Sequence, residues 1–193
     1  VNGAEIAARL GGDRDKPALL LLHGFPQTHA MWHRVAQRLR HDFFLVLPDL
    51  RGYGDSSHAP GLPDHSNYSK RALAQDLIEV MDTLGIAAFA LCGHDRGGRV
   101  AHRLALDHPA RVTKLCVIDI APTLDMYART DFDFARAYYH WFHLIQPTPL
   151  PEATEIKATH VVENAVGGTG PSAWWRVGLI AIAIVAAILL VLQ

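Results

Sequence analysis

The sequence predicts an α/β fold, a doubly wound and mostly parallel sheet, and three observations predict it. Four short apolar runs recur between residues 18 and 120. Segments with apolar residues at three- and four-residue spacing lie between them. Each run ends at a small or polar cluster of the kind that turns a strand into a loop. Continuous apolar strands are buried on both faces, which is the condition of a parallel sheet covered by helices. In such a sheet a ligand site lies beyond the C-terminal ends of the strands.

The runs are Ala18–Leu22 (ALLLL) before His23-Gly24, Phe43–Leu47 (FFLVL) before Pro48-Asp49, Ala87–Cys92 (AAFALC) before Gly93, and Leu115–Ile120 (LCVIDI) before Ala121-Pro122. Met31, Val35 and Leu39 predict a helix over 31–40. Leu73, Leu77, Val80, Met81 and Leu84 predict one over 69–84. Arg96–Asp107 is a third helix, ended by Asp107-His108-Pro109 because the residue before proline disfavours helix. Residues 122–150 are rich in aromatics, follow a strand end, and read as the start of a helical cap.

With 193 residues the chain is long enough for one cored domain and a short appendage. Its net charge of -1 gives no field that recruits nucleic acid. Twelve histidines are scattered without metal-ligand spacing, so no metal or other cofactor is expected. Cys92 and Cys116 sit in apolar runs and read as buried thiols in a reducing cytoplasm. No secretory signal opens the chain, which begins at Val1. The expected location is cytoplasmic. Near the other end, Val177–Leu192 carries no charge over sixteen residues and follows Trp174, Trp175 and Arg176. As a helix it would span roughly 24 Å, a little short of a bilayer core. It reads as a hydrophobic, membrane-inserting helix, with the aromatic pair as interfacial anchors. The expected division is therefore a core over 1–121, a cap start over 122–152, a linker over 153–173 and a hydrophobic tail over 174–193.

The chemistry centres on Gly93-His94-Asp95-Arg96-Gly97, between an apolar strand and a helix. A nucleophile elbow needs this context, with small residues allowing a sharp turn that lifts the middle side chain into a pocket. The middle residue here is Asp95. An aspartate carboxylate is ionised at neutral pH and needs no base to become a nucleophile. It suits displacement of a leaving group from saturated carbon, followed by hydrolysis of the resulting ester. The competing reading makes Asp95 an ordinary helix N-cap. His23-Gly24-Phe25-Pro26 follows the first run. The backbone N–H groups of Phe25 and Arg96 are the candidate oxyanion-hole donors. Asp49-Leu50-Arg51-Gly52-Tyr53-Gly54-Asp55-Ser56 reads as a structural loop beside the site.

In this order and spacing, HGFPQTH, DLRGYGDSS and GHDRGGRVAHRLALDHP resemble the α/β-hydrolases with an aspartate nucleophile. Two branches compete, the haloacid dehalogenases and the epoxide hydrolases. Arg96 and Arg99 lie three apart on the helix that follows Asp95 and share a face. Paired guanidinium groups there suit a substrate with its own carboxylate. The resemblance to fluoroacetate dehalogenases implies a fold, the α/β-hydrolase fold, and a set of roles. Arg96 and Arg99 bind the substrate carboxylate, Asp119 is the acidic triad member, and His140 and Trp141 bind halide. The implied substrate is a short haloacid, with water as co-substrate. For an epoxide hydrolase, Tyr127, Tyr138 and Tyr139 are the tyrosines available to polarise the epoxide oxygen.

The resemblance covers about residues 1–152. The family's general-base histidine has no match, since His160 stands in a different setting, Ala158-Thr159-His160-Val161-Val162. A chain with Asp95 and no such base is expected to alkylate itself once and stall. The reading from another class is an inactive, membrane-tethered remnant.

Overall fold

The computed structural model describes residues 3–147, 149 and 150. They fall into two compact units that divide after Ile120.

The first unit is built on a five-stranded sheet, in the order β1-β3-β2-β4-β5. The strands are β1 (Ala8–Gly11), β2 (Ala18–Leu22), β3 (Phe44–Pro48), β4 (Phe89–His94) and β5 (Val112–Ile118). β1 runs antiparallel to β3 and every other pairing is parallel. Helix α1 (His33–Leu39) follows a single turn of 3-10 helix at His29–Trp32. α2 (Lys70–Thr83) and α3 (Arg96–Asp107) complete the layers.

The apolar runs of β2, β3 and β4 form strands because both of their faces find cover, whereas β5 is only partly covered. Side chains alternate across a strand, so Leu20 and Leu22 face one way and Leu19 and Leu21 the other. Leu20, Leu22, Val46 and Leu91 share a core with Leu73, Leu77 and Met81 of α2 and Val100 and Leu104 of α3. Leu19, Leu21, Leu45 and Cys92 pack with Val35 and Leu39 of α1, and with Trp32. The four leucines of β2 are fully excluded from solvent. Burying each stabilises the fold by about 1.5–3 kcal/mol. β1 was not expected. ARLG has no apolar run because it is a short edge strand, and Leu10 remains about half exposed.

The chain leaves β2 for β3 on one side and then crosses back to β4 on the other. The loops after β2 and β4 therefore diverge at this reversal of strand order. Such a switch point opens a crevice at the strand ends.

The second unit holds α4 (Thr123–Ala128), α5 (Phe132–Ala137) and α6 (Tyr139–Leu144). Its interior is aromatic. Phe134 stacks on Tyr138 with ring centroids 4.8 Å apart, and both meet Trp141 edge to face.

The expectation of a transmembrane helix is corrected. Among the described residues no helix is long and apolar enough to cross a membrane. The run at 177–192 lies outside the described residues, as do His160, the linker at 153–173 and the rest of the tail.

Candidate active site

The elbow forms because β4 must reverse into α3 within one residue. Asp95 takes φ 48° and ψ -115°, a region that residues with a side chain rarely occupy. Such a backbone costs on the order of 1–3 kcal/mol and persists only where the surroundings enforce it. Here they do. A side chain at Gly93 would strike the Gly97 carbonyl, and one at Gly97 would come within 2.6 Å of the Leu22 carbonyl oxygen. The backbones on either side of Asp95 thus approach as only glycines permit. The Asp95 N–H donates to the Ile118 carbonyl at 3.0 Å, tying the elbow to β5.

Asp95 occupies the N-cap position of α3, yet its side chain makes no capping bond. The carboxylate turns instead to the loop after β2, where its Oδ1 accepts the Phe25 N–H at 2.9 Å. The reading of Asp95 as a helix cap is therefore excluded by geometry. Gly24 lets this loop come close, since a Cβ there would lie 2.7 Å from that of Asp95. The Phe25-Pro26 peptide bond is cis.

Asp95, Arg96 and Arg99 are all half-buried. The Arg96 guanidinium lies over the Phe25 ring at 5.8 Å from its centroid. Phe25 meets Tyr53 edge to face at 6.5 Å. Burial raises the pKa of Tyr53 above the ordinary phenol value; Arg96 opposes this and Asp95 adds to it. Tyr53 therefore belongs to the charged neighbourhood of the elbow. Its position inside a loop motif gave no sign of that role. Lys70, at the start of α2, feels the charges of Arg96, Arg99 and Asp95 as well. It too went unnoticed in the sequence, where it reads as one more charged residue on a helix.

Asp119 follows β5 with φ 55°, and its side chain is largely exposed. Its Oδ2 lies 3.7 Å from Nε2 of His94. His140 and Trp141 are neighbours on α6, in the second unit, with ring centroids 6.3 Å apart.

The loop after β3 is structural, as its motif suggests. Asp49 is fully buried and accepts the His29 backbone N–H at 2.6 Å, the His29 ring at 2.9 Å and the Asp55 N–H at 3.0 Å. Burial pushes its pKa up, but these donors prevail and hold the carboxyl below its usual range. Asp49 thereby fastens the loop that carries Phe25. Arg51 forms a buried, two-pronged pair with Asp76 of α2 at 2.9 and 2.6 Å. His23 is fully buried, accepts the Leu50 N–H at Nε2 and so donates from Nδ1 to the Gly24 carbonyl. That pattern requires the neutral ring, and burial lowers its pKa.

Among the described residues no group of His, Cys, Asp and Glu is placed to hold a metal ion. The chemistry available is that of a held carboxylate with one oxygen on a backbone N–H, next to the Phe25 ring over which the Arg96 guanidinium lies.

The model of the alpha/beta hydrolase fold family matches residues 17–153. A fluoroacetate dehalogenase from Burkholderia sp is 58% identical over 136 residues, which are 70% of this chain and 45% of that protein. Human epoxide hydrolase 4 (Homo sapiens) is 38% identical over 109 residues, 56% of this chain and 29% of that protein. The crystal structure of a candidate alpha/beta hydrolase from Nostoc sp PCC 7120 superposes with a TM-score of 0.76 at 58% identity, covering 79% of this chain and 52% of that one. The chain spans about half the length of these relatives or less.

Proposed function

Because the chain belongs to the alpha/beta hydrolase fold family and is closely related to its fluoroacetate dehalogenase and epoxide hydrolase members, we propose that Asp95 is a nucleophile acting on the carbon–halogen bond of short 2-haloacids. The observation that carries this reading is the Asp95 carboxylate, turned away from its own helix and held by the Phe25 N–H. One oxygen is fixed, and the other is the one to attack.

In the first step that oxygen attacks the carbon bearing the halogen. The carbon–halogen bond breaks, halide leaves with its electron pair, and an aspartyl ester forms. Arg96 and Arg99 hold the substrate's carboxylate and offset its repulsion from Asp95. His140 and Trp141 are proposed as donors to the departing halide. The second step needs a base, and no residue of this sequence is assigned that role, so the ester is expected to accumulate; where a base is present, a water attacks the ester carbonyl and gives its proton to that base. The carbonyl oxygen then carries negative charge, and the Phe25 N–H, already aimed at Oδ1, is placed to receive it, with the N–H of Arg96 as second donor. Collapse releases a 2-hydroxy acid and restores Asp95. Asp119 is proposed as the acidic group that orients the base. The likeness to the Burkholderia fluoroacetate dehalogenase supports this substrate class.

The second reading is an epoxide hydrolase, supported by the likeness to human epoxide hydrolase 4. It uses the same nucleophile but needs no carboxylate receptor, so Arg96 and Arg99 favour the haloacid. Incubation with fluoroacetate, chloroacetate and a small epoxide separates the two. Halide release from the acids, without diol from the epoxide and abolished by Asp95→Asn, is expected. Diol formation without halide would move the assignment to the epoxide branch.

A further inference from the structure

Phe25 is an exposed aromatic residue on the loop after β2, and its ring belongs to neither apolar core. Two neighbours place that ring. Tyr53, which packs against the core beneath α2 and α3, meets it edge to face at 6.5 Å. Tyr53 is itself met by the buried His23 ring at 5.1 Å. The second neighbour is the Arg96 guanidinium, which lies over the Phe25 ring at 5.8 Å from its centroid. Among the described residues that guanidinium has no hydrogen bond or ion pair. A cation within about 6 Å of a ring face is attracted by the ring's quadrupole. The attraction uses none of the five N–H donors of the guanidinium, so all of them stay available to an anion. A carboxylate in place of the ring would occupy those donors, and an aliphatic side chain would leave the guanidinium unoriented.

Phe25 also touches Asp95, because its N–H donates to Oδ1 at 2.9 Å. One residue thus contacts the carboxylate through its backbone and the guanidinium through its ring. A 2-haloacid joins the attacked carbon directly to its carboxylate carbon, so nucleophile and cation have to stand in fixed register. We propose that Phe25 is a positioning residue whose ring is the platform that aims the Arg96 guanidinium at the substrate's carboxylate. This rests on the reading of Asp95 as a nucleophile for carboxylate-bearing substrates. The ring acts through Arg96, so its effect falls on affinity for anions and vanishes when the guanidinium is removed.

Acetate, an unreactive carboxylate of the same chain length as a haloacetate, is the probe. It is titrated into the full chain and followed by nuclear magnetic resonance. Phe25→Leu should bind acetate about fivefold more weakly than wild type, the size of effect expected for one cation–ring contact. Phe25→Met should repeat that loss, and Phe25→Tyr, which keeps a ring, should bind like wild type. With Arg96→Gln already in place, where Arg99 remains to hold acetate, adding Phe25→Leu should change the affinity less than about twofold. Melting temperatures of the Phe25 variants should stay near that of wild type, since the ring lies outside both cores. An equal loss with and without Arg96, or no loss in either background, would overturn the proposal, as would a wild-type protein that does not bind acetate. The underlying reading is checked apart from this, by acid-quenching the wild type with chloroacetate. Acetate binding that couples Phe25 to Arg96, without any ester on Asp95, would overturn the nucleophile while leaving the platform in place.

Discussion

Asp95 uses its carboxylate on the Phe25 N–H, a partner 70 positions away in the chain, and leaves its own helix uncapped. A capping bond is worth about 1 kcal/mol and the strained backbone costs more. A residue chosen for stability alone would be placed differently. His23 makes the opposite case at the same scale. Both ring nitrogens are satisfied only in the neutral form, and burial lowers the ring's pKa below its ordinary 6.5. The unfolded chain therefore binds the proton more readily than the folded one. The stability that His23 supplies is complete above about pH 6.5 and is lost as pH falls below it towards the folded value. Melting temperature should drop between pH 7 and pH 5, and His23→Gln should flatten that drop. A slope that the substitution leaves unchanged would place the acid sensitivity elsewhere.

The elbow as an element depends on backbone contact between β4, α3 and the end of β2. Gly97→Ala puts a methyl group 2.6 Å from the Leu22 carbonyl oxygen, where no flexible side chain can yield. The expected loss is about 2–3 kcal/mol in denaturant unfolding, with a larger loss of reactivity because Asp95 would move from the Phe25 N–H. A variant as stable and as reactive as wild type would show that the close approach is not needed. This element was legible in the sequence, because GHDRG sits between an apolar run and a helical pattern. The strands β2 to β4 were legible for the same reason, since burial on both faces writes itself as unbroken apolar runs, and β5 was legible from the apolar run at its end although it is only partly covered. β1 was not, because an edge strand covered on one side needs no such run. Tyr53 and Lys70 were not legible either. Their sequence neighbours mark a loop and a helix start, and only the crossover from β3 to β4 brings them to the elbow. The role of Asp49 was partly legible, as a loop residue, but its partner His29 was hidden in the loop after β2.

At the scale of the whole molecule, one sheet reversal opens the crevice at the ends of β2 and β4, where the Phe25 N–H of the loop after β2 reaches the Asp95 carboxylate. The fold and family follow from residues 17–153. The aromatic second unit carries His140 and Trp141, the residues proposed for halide, on one short helix. The whole account turns on which atom attacks saturated carbon. The direct measurement is acid-quenched reaction with chloroacetate in water enriched in oxygen-18, followed by peptide mapping. The account expects a carboxymethyl ester on Asp95, or, where that ester turns over, heavy oxygen in the Asp95 carboxylate. Heavy oxygen appearing first in the hydroxy acid, with Asp95 unlabelled and unmodified, would contradict it.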